Sequence, residues 1–118
     1  MVAMQKSPTS VAALQREYQR LRQSLARLGY ISQGSVVDRS RLRPARSGYQ
    51  WTRKVKAKTI TVALSQQEFE AFHQAIDNHR KLQGMIRRME QVSRRVLFNN
   101  RFQDRRRNPL RQKVLGII

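Results

Sequence analysis

The sequence predicts an α+β fold: a helix, a three-stranded antiparallel β-meander and a long second helix, with the two helices paired antiparallel and a basic C-terminal arm. Three patterns predict it, namely a heptad seam near the N-terminus, period-2 alternation in the middle and a helical apolar stripe after it. The chain has 118 residues, 39% of them hydrophobic. This length suits one domain, so we predict a single domain over 1–98 and an arm over 99–118.

The first helix is predicted over residues 8–28, beginning at Pro8 or Ser10. Ser7 or Thr9 is placed to cap its start, and Gly29 is a natural stop. Its apolar residues alternate at spacings of three and four, which is an a/d seam: Val11, Leu14, Tyr18, Leu21, Leu25 and Leu28. Such a seam requires another helix beside it. Packing within one domain and a homodimeric coiled coil both satisfy that requirement.

The meander is predicted over residues 34–65, where β-branched and aromatic residues are enriched. Its parts are a strand at 35–40, a basic loop at 41–47, a strand at 48–55, a tight Lys56-Ala57 turn and a strand at 59–64. Alternation gives the sheet one apolar face and one basic or hydroxylated face.

Two aromatic residues, Tyr49 and Trp51, share the apolar face of the second strand, and Arg53 intrudes on it. The simplest interpretation makes Trp51 part of the core that joins the sheet to the helices. The alternative is that both rings stack on exposed bases.

The second helix is predicted over residues 66–98, because Ser65 and Glu68 form an S-x-x-E capping box at its start. Its apolar stripe comprises Phe69, Phe72, Ile76, Leu82, Ile86, Met89, Val92 and Val96. Gly84 interrupts the helix and indicates either a close helix crossing or a bend.

The charge is strongly one-sided, with 25 Lys and Arg against 7 Asp and Glu and a net charge of +18. It is also uneven: residues 35–65 carry +7 and residues 99–118 carry +5, whereas residues 66–98 carry only +2. Excess positive charge of this density favours a polyanionic partner. Arginine dominates the basic set, and its planar guanidinium matches phosphate geometry.

The residues that catalysis would need are few. The chain contains no cysteine, which excludes thiolate zinc sites and cysteine nucleophiles. Its two histidines, His73 and His79, lie on the second helix among solvent-side charges. We therefore predict no enzyme activity, no catalytic residues, no metal site and no cofactor.

Nucleic-acid binding is predicted for two groups of basic residues. A two- or three-stranded ribbon fits the major groove of B-DNA, where residues of one face reach base edges. The sheet group is Arg39, Arg41, Arg43, Arg46, Arg53, Lys54, Lys56 and Lys58. The arm group is Arg101, Arg105, Arg106, Arg107, Arg111 and Lys113.

Short motifs between Leu25 and Leu97 carry a resemblance to a known family: Gly34-Ser35-Val36-Val37, Gly48-Tyr49 with Trp51, Lys58-Thr59, Leu64-Ser65 and Asn78-His79-Arg80-Lys81-Leu82. With them the chain resembles a family of small uncharacterised bacterial and archaeal domains, often encoded beside transposase or recombinase genes. Many members of that family carry a cysteine cluster between the first two strands. This chain has a basic loop there, so the metal role that the resemblance implies is lost. A looser likeness, of architecture only, is to the three-stranded-sheet DNA-binding modules of phage-type integrases.

Together these patterns predict a nucleic-acid-binding accessory protein of a transposition, recombination or other mobile-element system, with double-stranded DNA favoured over RNA. The alternative is an RNA-binding or structural subunit of a larger ribonucleoprotein or recombinase assembly. No membrane partner is expected, and homodimerisation through the helical seams stays open. The expected location is cytoplasmic and nucleoid-associated.

Overall fold

A computed structural model describes residues 10–99 and Val114. Its elements follow the predicted order and confirm the α+β fold class. They are α1 (Val11–Ala26), β1 (Ser35–Asp38), a 3₁₀ helix (Arg39–Arg41), β2 (Tyr49–Val55), β3 (Lys58–Leu64) and α2 (Gln66–Asn99). The predicted arm, 99–118, lies almost wholly outside the described residues.

Contacts divide the chain into two compact units. The helical unit contains the described residues up to Arg27 together with those from Gly84 onward, and the sheet unit is Leu28–Gln83. Helix α2 therefore begins in one unit and ends in the other. The predicted domain boundary at residue 98 stays a prediction.

The sheet unit contains an antiparallel sheet in the order β1-β2-β3. Its register places Tyr49 opposite Leu64 and Trp51 opposite Val62. The Tyr49 and Trp51 rings lie 4.5 and 5.8 Å from those of Phe69 and Phe72 on α2. This face of the sheet therefore packs on the first turns of α2, as its alternation predicts.

A two-residue turn joins β2 to β3. Lys56 and Ala57 both have positive φ, 49° and 66°, the pair of left-handed residues that defines a type I′ turn. Such turns match the twist of the flanking strands. The pairing of β2 with β3 therefore offsets the cost of positive φ at two residues that are neither Asn nor Gly.

Helix α2 starts at the predicted capping box. The Ser65 hydroxyl accepts a hydrogen bond from the Glu68 amide at 3.1 Å, and the Glu68 carboxylate accepts one from the Ser65 amide at 2.9 Å. These reciprocal bonds satisfy two backbone donors that the first turn would otherwise leave without partners.

The helical unit pairs α1 with the second part of α2. One groove is lined by Tyr18, Leu25, Ile86 and Met89 among others, and a second by residues 15, 18 and 19 with residues 92, 93, 96 and 97. Earlier positions on α1 thus face later positions on α2, so the two segments run antiparallel. Leu14 and Val92 are buried and anchor this small core.

The predicted capping residue and the predicted end of α1 are wrong. The hydroxyl of Ser10, rather than that of Ser7 or Thr9, caps α1 by accepting from the Ala13 amide at 3.1 Å. The helix ends at Ala26 and not at Leu28, because the Arg27 amide donates to the Ser24 carbonyl in a tightened last turn.

The first strand is also shorter than predicted, since it stops at Asp38 instead of Ser40. The Asp38 carboxylate accepts hydrogen bonds from the Ser40 amide at 3.0 Å and the Ser40 hydroxyl at 2.8 Å. These bonds cap the 3₁₀ helix and turn the chain away from the sheet.

Candidate nucleic-acid interface

Four of the predicted binding residues lie in the β1–β2 connection and form what we call the loop cluster: Arg39, Arg41, Arg43 and Arg46. Arg39 is half-buried, and the other three are exposed. Three guanidinium groups in this short segment are therefore available to a partner in solution.

The backbone of Arg39 organises this connection. Its carbonyl accepts hydrogen bonds from the Leu42 and Arg46 amides at 3.1 and 3.0 Å, and its amide donates to the Gly48 carbonyl at 2.9 Å. Its side chain donates from Nε to Gln50 Oε1 at 3.3 Å. The loop cluster therefore lies on a hydrogen-bonded loop. Arg39 stabilises this loop, whereas the exposed side chains are those of the other three arginines.

The other four predicted residues lie around the β2–β3 turn and form the tip cluster: Arg53, Lys54, Lys56 and Lys58. All four are exposed. The register puts Arg53 and Lys58 on the face that carries Trp51, and Lys54 on the opposite face, with Lys56 in the turn itself. The tip therefore presents positive charge on both faces of the hairpin.

The loop cluster lies before the start of β2, and the tip cluster begins in the last residues of β2 and continues through the turn. The length of the strand from Tyr49 to Val55 therefore determines their separation. At about 3.3 Å per residue this separation is ~20 Å. The sequence suggested one continuous basic group, whereas the fold splits it into two. Most of the basic residues are also at the strand ends rather than on the polar face, which is largely hydroxyl and amide: Ser35, Gln50, Thr52, Thr59 and Thr61.

Acidic residues do little to neutralise either cluster. Within residues 10–99 the ion pairs join Asp77 to His73 and Arg80, and Glu17 to Arg88, so none reaches the loop or the tip. Two carboxylates, Asp38 and Glu70, line a groove with Arg41 of the loop cluster without forming an ion pair with it. The first of them, Asp38, is held by Ser40. Hydrogen bonds from the Ser40 side chain and amide, with the nearby Arg41 charge, lower the pKa of Asp38, which keeps it ionised.

The aromatic residues Tyr49 and Trp51 are packed inside the sheet unit, so their rings are not free to stack on bases as the alternative interpretation requires. Trp51 is half-buried against Phe72, and its indole N–H donates to the Gln33 carbonyl at 3.0 Å. Tyr49 is likewise packed on Phe69. Both rings belong to the core of the sheet unit. Among the tyrosine, phenylalanine and tryptophan rings of residues 10–99, the one left open to solvent is Tyr30, which is 93% exposed.

Tyr30 is held in place by its backbone, because its carbonyl accepts a 3.0 Å hydrogen bond from the buried Asn78 side chain. The Ser32 amide donates to the Ala75 carbonyl nearby, at 3.1 Å. Sequence reasoning missed Tyr30, since a lone tyrosine after a helix carries no periodic signal.

A further basic surface on the helical unit was also missed. Arg16, Arg20 and Arg27 fall within one stripe at 100° per residue, on the side of α1 opposite its apolar seam, and all three are exposed. The acid of α1, Glu17, is engaged by Arg88, whose Nη2 donates to it at 2.8 Å. A helical wheel of the seam would have found this stripe.

The predicted arm residues Arg101, Arg105, Arg106, Arg107, Arg111 and Lys113 lie outside the described residues.

His73 and Asp77 lie 3.9 Å apart and are exposed on α2. In residues 10–99, no group of three or more His, Cys, Asp or Glu side chains is arranged to hold a metal ion. Across the same residues, no helix combines the length and apolar character that crossing a bilayer requires.

Searches against protein-family models, curated proteins and solved structures find no match to this chain. The resemblance to the transposase-associated domain family therefore stays a prediction.

Proposed function

We propose that this protein binds nucleic acid, with double-stranded DNA as its preferred partner, through the loop cluster and the tip cluster. One observation carries the proposal: both clusters sit on one hydrogen-bonded sheet and no acidic side chain in residues 10–99 pairs with either. Phosphate binding needs such unpaired cations, because each one that meets a phosphate releases condensed counterions.

The spacing of the clusters favours a duplex. A separation of ~20 Å along β2 corresponds to roughly six base pairs, taking 3.4 Å of rise per pair. Two phosphate contacts at that distance fix the orientation of a ribbon on DNA, which leaves alternate side chains of the hairpin at defined positions over a groove. A flexible basic segment alone provides affinity without such geometry.

In cellular terms we propose an accessory protein of a transposition, recombination or other mobile-element system, located in the cytoplasm with the nucleoid. This part of the proposal depends on the resemblance carried by the motifs between Leu25 and Leu97, and the binding surface stands without it.

The direct test compares three triple variants that each remove three positive charges. The loop variant is Arg41→Ala, Arg43→Ala and Arg46→Ala, and the tip variant is Lys54→Ala, Lys56→Ala and Lys58→Ala. The matched control is Arg80→Ala, Lys81→Ala and Arg87→Ala, taken from exposed positions on α2. Affinity for a 20-base-pair duplex is measured by fluorescence anisotropy at several salt concentrations.

We expect the loop and tip variants to flatten the log–log salt dependence by about 0.9 for each lost phosphate contact, and the control to change it much less. Equal effects of all three variants would show that only net charge matters and would contradict a defined interface. Loss of salt dependence in the wild type would indicate a protein partner instead.

A second candidate function, binding to single-stranded RNA within a ribonucleoprotein, is favoured by one observation. Tyr30 offers an almost completely exposed ring, and a base stacked on such a ring contributes roughly 1–3 kcal/mol. Tyr30→Ala therefore separates the two candidates. It leaves duplex affinity unchanged under the DNA proposal and weakens single-strand binding by about tenfold or more under the RNA alternative.

A further inference from the structure

In the part of the chain that the structure describes, strand β3 forms an open edge of the sheet, because β2 is its only neighbour in the β1-β2-β3 order. Six of its seven residues are exposed, and Leu64 alone is buried. Four consecutive residues, 59–62, are β-branched, and Lys58 is the strand's only charge. An edge of this length and character is a template for pairing with another strand.

The turn geometry determines which backbone groups point to that edge. In a two-residue hairpin the flanking residues, Val55 and Lys58, form a hydrogen-bonded pair, and hydrogen-bonded positions then alternate along the strands. Lys58, Ile60 and Val62 therefore direct their N–H and C=O groups to β2. The groups of Thr59, Thr61 and Ala63 point to the open edge.

We propose that this edge pairs with β3 of a second copy of the chain, antiparallel and centred on Thr61, to give a continuous six-stranded sheet. In this register Thr61 faces Thr61 of the other copy, and Thr59 faces Ala63. All of these are outward-bonding positions, so the ladder is completed by the same groups that the single chain leaves open.

The side chains are self-complementary in the same register. Ile60 lies opposite Val62 of the other copy in a non-hydrogen-bonded pair, where side chains approach most closely. These two residues are 44% and 46% exposed in the single chain although they lie on the face that carries Trp51. Pairing would bring four exposed β-branched side chains together across the joint.

Charge determines the salt dependence of pairing. Two chains of +18 repel one another, and a parallel pair would bring the two tip clusters together. The antiparallel pair keeps the two tip clusters ~20 Å apart over six residue steps, beyond the Debye length of about 8 Å at physiological ionic strength. It also turns each tip cluster toward the end of the sheet that carries the loop cluster of the other copy, so charge opposes the dimer at low salt and added salt strengthens it. This dimer is distinct from the coiled-coil dimer that the seam of α1 suggested.

The absence of natural cysteine makes the register directly testable in the full-length chain. In the proposed pair the two Thr61 Cα atoms lie about 5.5 Å apart, within the range for a disulfide. The two Thr59 Cα atoms lie four residues out of register, too far for a bond. Thr61→Cys and Thr59→Cys are exposed positions on the same strand and serve as test and matched control.

Both variants are oxidised with copper–phenanthroline in 0.1 M and 1 M salt, without nucleic acid, after circular dichroism has verified their folding. We expect Thr61→Cys to form a covalent dimer at least about tenfold faster than Thr59→Cys, and light scattering to show a wild-type dimer at 1 M salt. The second pair of variants is Ile60→Lys and Val62→Lys, which place a charge against the joint, and each should yield monomers.

Equal crosslinking of the two cysteine variants, or a wild-type monomer at 1 M salt, overturns the proposal. Because no nucleic acid is present, this failure would leave the proposed nucleic-acid binding untouched. Conversely, a protein that dimerises in this register and fails to bind a duplex would contradict only the proposed function.

Discussion

The two halves of α2 build two different cores. The half in the sheet unit contributes aromatic rings, Phe69 and Phe72, that lie on Tyr49 and Trp51. The half in the helical unit contributes aliphatic side chains, and Val92 is the most deeply buried at 1% exposure. A sheet presents a broad pleated surface that planar rings cover, whereas a helix presents ridges between which smaller side chains fit.

The polar contacts of the two halves differ as well. In the sheet unit the buried Asn78 joins α2 to the loop after α1, because its amide donates a neutral hydrogen bond to the Tyr30 carbonyl. The Asn78 amide oxygen also accepts a neutral bond from Gln74, one turn earlier on α2. In the helical unit an ion pair between Glu17 and Arg88 joins α2 to α1. The first contact is insensitive to pH and the second is not, so each half can be perturbed selectively.

The largest expected loss of stability comes from placing a charge in the aliphatic core. Val92→Asp should destabilise the protein by roughly 3–5 kcal/mol, since it removes packing and buries a carboxylate without a partner. The matched control, Leu97→Asp, lies on the same helix at a 66% exposed position and should change the midpoint of urea unfolding little. Hydrogen exchange in residues 11–26 should accelerate first. Similar losses in both variants would contradict the helical core described here.

A smaller loss of stability is expected when Gly34→Ala is introduced beside the aromatic core. Gly34 has φ +103°, and a Cβ there would lie 2.5 Å from Trp51 Nε1 and 2.7 Å from the Thr52 carbonyl oxygen. Backbone strain and this clash together should cost about 2–4 kcal/mol. Trp51 is the only tryptophan, so its emission reports on the sheet unit, and an unchanged emission maximum and unfolding midpoint would refute the close approach.

Removing the ion pair between Glu17 and Arg88 should have a smaller effect on stability, and this effect should depend on pH. The hydrogen bonds from Arg88 lower the pKa of Glu17 below its ordinary value of 4.5, so the charged pair stabilises the fold at neutral pH and is lost as the pH falls below that value. Glu17→Gln should cost about 1 kcal/mol at pH 7, because both side chains are partly exposed. The difference from wild type should shrink as the pH falls below 4.5 and the carboxylate becomes protonated. Glu70→Gln, an exposed carboxylate on the other half of α2, is the control.

The smallest expected effect is a gain in stability. Nothing lies within 4 Å of a Cβ added at Gly84, the residue where α2 passes from one unit to the other. Gly84→Ala should therefore stabilise the helix by up to about 1 kcal/mol, measured as a rise in thermal midpoint. A loss would indicate a close contact at this glycine, which is the helix crossing that the sequence left open.

The predictable parts of the fold were those encoded by local chemistry. The capping box at Ser65 and Glu68 determined where α2 begins, and strict alternation around Lys56-Ala57 determined the hairpin and its turn. The alternation of β2 also placed Trp51 in the core. In each of these cases neighbouring residues along the chain supply both the signal and the interaction.

The parts that escaped prediction depend on contacts distant in sequence. The periodicity of α2 shows one apolar stripe and carries no information on its division between a sheet and a helix. The burial of Asn78 and its hydrogen bond to the Tyr30 carbonyl depend on a partner 48 residues away in sequence. The sheet group of basic residues was predicted as one binding surface, because the sequence places all eight residues in one small meander and does not show how its strands separate them.

The arrangement of the helical unit has a consequence for the order of events on the ribosome. Helix α1 is synthesised early, yet its ion-pair partner Arg88 follows Glu17 by 71 residues. At roughly 5–20 residues per second, about 4–14 seconds pass between the synthesis of the leucine seam on α1 and that of the part of α2 that packs on it. The sheet unit, whose residues are contiguous from Leu28 to Gln83, is complete before then. During that interval the seam is a natural binding site for a chaperone, and slowing translation between residues 28 and 84 should increase aggregation of the nascent chain.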